Sequence, residues 1–303
     1  MNITADAVKQ LRERTGAGMM ECKKALVETQ GNLDSAAELM RKQGLAKADK
    51  KAARVAAEGV IVIEHAPDGQ AAAMVEINCE TDFVARESDF RAFSQAVAAK
   101  ALEARPASLE ALLEQRLDDG ETIDERRRAL IAKIGEKLSV RRFAVLSTAG
   151  QAGAGQISAY LHGTRIGALV ATLGGDATLA HDIAMHVAAS NPKYLSLAEV
   201  PAQIVAKERE ILTEQAMGEG KPPQIVAKMV EGRLRKSLGE ITLSGQAFVK
   251  DPDQTIEKLL TSAKASVQAF ERFEVGAGIE KKQDDFVAEV MAQVKSFDPG
   301  TTK

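Results

Sequence analysis

The sequence predicts an α+β fold built from several small units, and three observations carry this prediction. The 303 residues exceed one average domain, and 45% hydrophobic with 27% charged residues is the composition of a soluble globular chain. The first 45 residues show only helical spacing of apolar side chains. Beyond them, a strand hairpin, a helix and a closing strand occur in that order twice. This order favours antiparallel sheets with helices on one face over a doubly wound parallel sheet.

Residues 1–55 are predicted to form a three-helix module followed by a basic linker. Thr4 is a plausible N-cap of the first helix, and the third helix is expected over 33–43, ended by Gly44. Residues 45–57 are rich in Ala, Lys and Arg without an apolar stripe, which indicates an exposed, partly helical linker. Helices this short are suited to presenting a face to a partner and are too small to enclose a deep pocket.

Two related α+β subdomains are predicted to follow, the first over 56–146 and the second over 147–280. Each begins with two strands in a hairpin and ends with a strand after a helix, and the closing strands share an apolar rhythm at Arg142-Phe143-Ala144-Val145 and Arg272-Phe273-Glu274-Val275. In the first subdomain, a helix over 89–104 should bury an apolar face of Phe90, Phe93 and Val97. Ser108 is expected to cap a further helix through Leu117.

A helical hairpin of coiled-coil type, about 201–238, is inserted in the second subdomain, and residues 281–303 are predicted to form a C-terminal helical module. The apolar residues of the hairpin are expected to seal its two helices against each other. These residues are Ile204, Ile211, Leu212, Ile225, Met229 and Val230.

Charge and cysteine content restrict the class of protein. A net charge of −3 lacks the basic excess of non-specific nucleic-acid binding, so we expect a protein partner and no direct nucleic-acid contact. Cys22 and Cys79 show no disulfide or zinc-site spacing, which fits a reducing, cytoplasmic location. No stretch is apolar enough to predict a membrane span or a signal peptide.

Motifs for chemistry are sparse. The sequence has no P-loop, no HExxH and no GxSxG, so we expect no metal site, no cofactor and no catalytic residues for covalent chemistry. The clearest local anomaly is the segment over 78–86, which places polar groups and an aromatic ring between a predicted strand and a helix. Phe83 either packs back onto the small core or protrudes as a wedge, and Asp82 either caps a turn or accompanies that wedge.

Four motifs in the sequence are similar to those of a known protein family. They are RTGAGMMECKKAL at 14–26, NCETDFVAR at 78–86, IAMHVAAS at 183–190 and RFEVGAGIEK at 272–281. In this order they resemble the bacterial elongation factor Ts family of translation elongation factors. The resemblance covers nearly the whole chain. It implies a ubiquitin-associated fold for the N-terminal module. It also implies a guanine nucleotide exchange factor of protein biosynthesis, whose partner is elongation factor Tu with bound GDP.

The resemblance also implies the partner-binding residues. In the N-terminal module they are Arg12, Met19, Met20 and Lys23. In the loop they are Thr81, Asp82, Phe83 and Val84, of which Asp82 and Phe83 would disturb the Mg²⁺ and phosphate site of the partner so that GDP leaves and GTP can bind. His162 is implied as a further contact of the second subdomain.

Two departures from the family pattern stand out: Glu80 occupies a position where related proteins often have glutamine, and residues 151–155 lengthen the join between the two subdomains.

Three alternatives stay open at this point, and so does a homodimer of the complex. A ribosome- or RNA-associated protein would use the basic cluster of Lys47, Lys50, Lys51 and Arg54. An enzyme would need Asp82, His162 or Cys79 to converge. An assembly protein would associate with itself through the hairpin over 201–238.

Overall fold

The computed structural model describes residues 3–150, 155–218 and 223–280. Within these ranges, the fold is α+β, as the sequence predicts, with small antiparallel sheets. The C-terminal helix predicted over 281–303 lies outside the described residues. No helix in the described ranges is long and apolar enough to cross a membrane.

The N-terminal module consists of three helices, α1 (Ala5–Thr15), α2 (Met19–Glu28) and α3 (Leu33–Lys51). The Thr4 hydroxyl accepts a hydrogen bond from the Ala7 amide at 3.2 Å, so Thr4 is the predicted N-cap. The small core of the module contains Val8, Leu11, Cys22, Ala25, Leu26 and Ala36.

The expected end of α3 at Gly44 is wrong, because the helix continues to Lys51 through the first half of the predicted linker. A Cβ atom on Gly44 would lie 3.1 Å from Cβ of Ala132, which belongs to helix α6 (Ile123–Ile134). The glycine therefore lets α3 approach α6 closely and does not end the helix. Ala56 and Ala57, at the end of the predicted linker, are buried.

The first sheet has the order β1-β2-β3, with β1 (Glu58–His65), β2 (Ala71–Cys79) and β3 (Ser139–Ser147) all antiparallel. Between β2 and β3 lie α4 (Ser88–Ala104), α5 (Leu109–Leu113) and α6. Phe90, Phe93 and Val97 of α4 are buried against β2, as their spacing predicts. Helix α5 is shorter than expected, although Ser108 caps it as predicted.

The second sheet repeats this arrangement with the order β4-β5-β8. Its strands are β4 (Gly155–His162), β5 (Ile166–Leu173) and β8 (Ser266–Glu274), and helix α7 (Ala177–Ser190) packs on one face. Between α7 and β8 the chain forms α8 (Ala202–Gly218), α9 (Pro223–Glu240), the short strands β6 (Ala247–Phe248) and β7 (Asp251–Thr255), and α10 (Ile256–Ser262). The strands β6 and β7 and the helix α10 were not predicted from the sequence.

The two sheets pack face to face, with helices on the outer side of each. In β2, Ala73, Val75 and Ile77 face α4, while Ala72 and Met74 pack against Leu169, Ala171 and Phe273 of the second sheet. A Cβ atom on Gly167 of β5 would lie 2.7 Å from a methyl carbon of Ile61, so the approach of the sheets requires glycine there. The central strand β2 is consequently buried along its whole length.

Helices α8 and α9 form the predicted hairpin, but the predicted seam is partly wrong. Leu212 and Val230 are buried as expected, whereas Ile204, Ile211 and Ile225 are 39 to 48% exposed. The buried residues also include a small one, Ala216, which lets the helices approach closely without the larger side chains. The core of the hairpin is formed by Val200, Leu212, Ala216, Val226, Val230, Leu234 and Leu238.

Candidate functional site

The loop over residues 80–87, called the Phe83 loop below, connects β2 to α4 and has a firmly held backbone. Glu136, just after α6, accepts hydrogen bonds from the amides of Glu80 (3.2 Å) and Thr81 (3.0 Å) and from the Thr81 hydroxyl (2.7 Å). A single 3₁₀ turn follows at Val84–Arg86, in which Val84 and Ala85 are buried. The loop is thus anchored on both sides of Phe83.

The Phe83 side chain is 79% exposed. Among the exposed large apolar residues in the described ranges it has the greatest exposure, in a chain with only 9 phenylalanines and no tryptophan. The alternative in which Phe83 packs onto the core is therefore wrong. A large ring held in water by a rigid backbone has unused capacity for burial, which is typical of a binding surface.

Asp82, beside the exposed ring, is about half exposed and pairs with Arg86 four residues later, with 2.7 Å between Oδ2 and Nη2. Exposed pairs of this kind contribute only about 0 to 1 kcal/mol. The carboxylate can therefore exchange Arg86 for groups of a partner at little cost. The i, i+4 spacing of the pair is visible in the sequence.

At the base of the loop, Glu80 joins two other segments. Its Oε1 accepts a 2.6 Å hydrogen bond from the Lys137 amide, and its carboxylate pairs with Arg54 at 3.3 Å. Lys137 Nζ in turn donates to the Arg54 carbonyl at 2.8 Å. A glutamine at position 80 would keep an acceptor for the Lys137 amide but would lose the charge that attracts Arg54.

Cys79 lies beneath the loop and donates its thiol hydrogen to the Thr81 carbonyl at 3.1 Å. Burial, and then the nearby carboxylates of Glu136 and Glu58, raise the pKa of this thiol to about 12. The thiol is therefore protonated at neutral pH and is a poor nucleophile. Among the described residues, no group of three or more His, Cys, Asp or Glu side chains is arranged to hold a metal ion.

The predicted residues of the N-terminal module lie at the surface. Met19 and Met20 begin α2 and are 58% and 66% exposed, and Arg12 and Lys23 are exposed as well. Val27, two turns after Met20 on α2, is also exposed and was not predicted. Methionine side chains in water are flexible and polarisable, so this patch is suited to binding a partner.

His162 lies at the end of β4 and is exposed, with its ring stacked near Tyr160 at 6.5 Å between centroids. The turn that follows reaches the first sheet, because Thr164 accepts a 2.8 Å hydrogen bond from the Ile61 amide and Arg165 pairs with Glu58 at 2.5 Å. Glu58 is opposite Cys79 in the sheet register. The turn after His162 is therefore connected to β1, which pairs with β2, the strand that leads into the Phe83 loop.

The predicted site residues consequently occupy three separate elements: α2 with its neighbouring helix, the Phe83 loop, and the end of β4. Within the described ranges, no hydrogen bond or ion pair joins Asp82, His162 and Cys79 to one another. Sequence reasoning missed Glu136, which holds the loop from 55 positions away in the chain, and no local signal could have revealed it.

The basic cluster is partly used within the chain. Lys51 Nζ hydrogen-bonds the Gly135 carbonyl, and Arg54 pairs with Glu80. Lys50 is exposed, and the side chain of Lys47 is outside the described part of the chain. The cluster therefore offers fewer free cations to a phosphate backbone than the sequence indicates.

Comparison with known proteins identifies the class. A sequence model described as "Elongation factor TS" matches residues 80–277, beginning at the Phe83 loop. The chain is 60% identical over 296 residues to "Elongation factor Ts" of Methylococcus capsulatus, covering 98% of this chain and 100% of that protein. It is 56% identical to "Elongation factor Ts" of Thioalkalivibrio sulfidiphilus, covering 97% and 99%, and 55% identical to that of Alkalilimnicola ehrlichii, with the same coverage. The protein is thus a translation elongation factor. Specifically, the chain belongs to the elongation factor Ts family.

Proposed function

We propose that this protein is a guanine nucleotide exchange factor, which binds elongation factor Tu with GDP and accelerates the release of GDP so that GTP can bind. It acts in the cytoplasm and performs no covalent chemistry of its own. The observation that carries this proposal is the 79% exposure of Phe83 on a loop whose backbone is anchored to Glu136.

Exchange requires preferential binding to one state of the partner. Binding of the factor and binding of GDP to one GTPase are coupled reciprocally, so a factor that weakens GDP binding is itself bound less tightly when GDP is present. The Phe83 loop must therefore bind the state with a disturbed Mg²⁺ and phosphate site more tightly than the closed state. Rigid anchoring favours this, because a loop that is already ordered loses little entropy on binding.

The exposed fraction of the Phe83 ring determines how much its loss should slow nucleotide exchange. Full burial of a phenylalanine side chain contributes about 1.5 to 3 kcal/mol, and the exposed 79% of Phe83 accounts for about 1.2 to 2.4 kcal/mol of this. With a factor of ten for each 1.4 kcal/mol, loss of the ring should slow exchange about 7- to 50-fold. Asp82 adds a carboxylate that can compete for donors around the metal of the partner.

The patch of Met19 and Met20 and the exposed His162 supply the further contacts of this proposal. They lie on different elements from the Phe83 loop, so they can hold other parts of the partner while the loop acts on the nucleotide site. A ribosome- or RNA-associated role is not favoured by any described feature, since Lys51 and Arg54 are engaged within the chain.

The test is the release of fluorescent GDP from purified elongation factor Tu at fixed Mg²⁺. The wild-type protein, Phe83→Ala and Leu197→Ala are compared. Leu197 is a 44% exposed apolar residue in a different surface turn and serves as the matched control. We expect acceleration by the wild type and by Leu197→Ala, and slowing by Phe83→Ala of the size given above. A folded wild-type protein that leaves GDP release unchanged would refute the function, and a fully active Phe83→Ala would refute the site.

A further inference from the structure

Four segments of the chain meet beneath the Phe83 loop, and we call this meeting point the junction. They are residues 54–58 after α3, residues 76–81 of β2 and the loop, residues 136–142 at the start of β3, and residues 274–277 at the end of β8. The junction therefore joins the segment following the N-terminal module, the first sheet with the loop, and the second sheet.

Glu76 lies at the centre of the junction and is completely buried. Its Oε1 accepts hydrogen bonds from Arg141 Nη1 (2.8 Å), the Gly276 amide (2.8 Å) and Asn78 Nδ2 (3.2 Å), and its Oε2 accepts one from Arg142 Nε at 2.6 Å. A buried carboxylate persists only when it is paired and fully hydrogen-bonded. Glu76 meets this condition by collecting donors from β2, β3 and the segment after β8.

A β-bulge directs two arginines to this one carboxylate. Glu76 is opposite Arg142 and Ile77 is opposite Val140, so Arg141 is an extra residue in the ladder. Both guanidinium groups also contact the end of the second sheet or the turn that follows it. Arg142 donates to the Glu274 carbonyl at 3.2 Å and lies 4.3 Å from the centroid of the Phe273 ring, and Arg141 donates to the Ala277 carbonyl.

The chain after β8 also touches the segment that anchors the loop. Gly276 has φ of +73°, and a Cβ atom on it would lie 2.3 Å from the Ala57 carbonyl oxygen. Ala57 follows Arg54, which pairs with Glu80 of the Phe83 loop. The chain that ends the second sheet is thus held at two points, at Glu76 on the strand that leads into the loop and at Ala57 in the segment before β1.

We propose that Glu76 is a positioning residue for the Phe83 loop. Glu76 holds the second sheet against β2 directly, and it holds the segment after α3 through Gly276, which lies against Ala57, and Asn78, which donates to the Glu58 carbonyl. In this way it fixes the place of Phe83 relative to the rest of the partner-binding surface. Replacing a buried ionic cluster by apolar packing commonly costs no stability, so such a cluster is a candidate for fixing one arrangement. The inference rests on the proposed exchange function, but it has a test that needs no partner.

That test uses the absence of tryptophan from the chain. Phe83→Trp introduces a single indole at the tip of the loop, and its time-resolved fluorescence anisotropy reports motion there. Adding Glu76→Gln, which keeps the shape and removes the charge, should raise the amplitude of nanosecond depolarisation by about twofold or more.

The matched control for this test is His186→Gln. His186 is also completely buried, but its partners Gln246, Ser190 and Val249 all lie in the second subdomain. The His186→Gln substitution should leave the motion of the indole unchanged, even if Glu76→Gln and His186→Gln lower the melting temperature equally.

A second measurement uses GDP release from elongation factor Tu. Glu76→Gln should lower the maximal rate about 5- to 10-fold, whereas the half-saturating concentration should change less than about twofold. The reason is that the contact of the Phe83 loop with the partner forms mainly in the activated complex, so its weakening affects the rate more than initial binding. In the Phe83→Ala background, Glu76→Gln should have little further effect, since both changes then act through the same ring. His186→Gln should combine multiplicatively with Phe83→Ala.

Unchanged depolarisation, or multiplicative effects of Glu76→Gln and Phe83→Ala, would overturn the proposal. If Glu76→Gln does not fold, Arg141→Gln takes its place, because Arg141 is partly exposed and its loss leaves Arg142, Gly276 and Asn78 on the carboxylate. If the wild-type protein does not accelerate GDP release, the proposed function fails, and the anisotropy measurement alone decides the role of Glu76.

Discussion

Glu136→Ala should release the backbone of the Phe83 loop. The substitution removes the acceptor of three hydrogen bonds, from the amides of Glu80 and Thr81 and from the Thr81 hydroxyl. Each intramolecular hydrogen bond contributes a net of about 0.5 to 1.5 kcal/mol. The loop is half-buried, so water can replace part of what is lost, and we expect local opening to become easier by about 2 kcal/mol in total.

Cys79 provides the assay, because its thiol lies beneath the loop and is bonded to the Thr81 carbonyl. Labelling by a thiol reagent requires the loop to open, so a 2 kcal/mol change should speed the labelling of Cys79 about 30-fold. Part of the increase will come from a lower pKa of the Cys79 thiol in the variant, because Glu136 contributes to the raised pKa of this thiol. Measuring the rate at several pH values separates this contribution, which scales with the thiolate fraction, from opening.

Cys22 is the internal reference, since it is equally buried but lies in the core of the N-terminal module. Its labelling rate should not change. If Cys79 in Glu136→Ala reacts at the wild-type rate, or if Cys22 accelerates as much as Cys79, the loop is not held by Glu136 and the argument fails. In the exchange assay, the same variant should lower the maximal rate of GDP release.

Two further predictions concern stability and are measured by urea unfolding. Gly167→Ala should destabilise the protein by about 1 to 3 kcal/mol because the new methyl group meets Ile61 between the sheets, whereas Gly232→Ala, at an exposed position of α9 with no atom near the new Cβ, should stabilise it by about 0.5 to 1 kcal/mol. Equal effects of the two substitutions would contradict the close approach of the sheets. Burial lowers the pKa of His186, whose Nδ1 accepts a hydrogen bond from the Val249 amide at 3.2 Å. Its contribution to stability should therefore be present above the unfolded pKa and fall as pH decreases from about 7 to 5, and a His186→Gln variant with the same pH dependence as wild type would refute this.

Local features of the fold were predictable because their causes are local. Thr4 and Ser108 cap helices as short-range hydrogen-bond acceptors, and the change from helical to alternating apolar spacing marks both strand hairpins. The position of Phe83 was not settled by the sequence. A lone aromatic beside a strand can be buried or exposed, and the outcome depends on contacts such as those of Glu136, which are distant in the chain.

Prediction from the sequence failed where packing between elements that are distant in the chain determines the structure. Gly44 is a helix-ending residue by its local chemistry, yet it lies inside α3 at a point where α6 leaves little room for a larger side chain. In the hairpin, the large apolar side chains of Ile204 and Ile211 were predicted to lie between the helices. The helices instead meet at the smaller Ala216. The cluster around Glu76 was equally hidden, because a single glutamate in an apolar strand reads as an exposed residue.

The burial of β2 on both faces has a consequence for synthesis of the protein on the ribosome. The second sheet, whose last strand ends at Glu274, covers the face of this strand that carries Ala72 and Met74. At about 5 to 20 residues per second, the roughly 127 residues between Ser147, where the first sheet is complete, and Glu274 take about 6 to 25 s to synthesise. During that interval the nascent first sheet presents an uncovered apolar face. The emerging chain should therefore be a substrate for chaperones until its second half has been made.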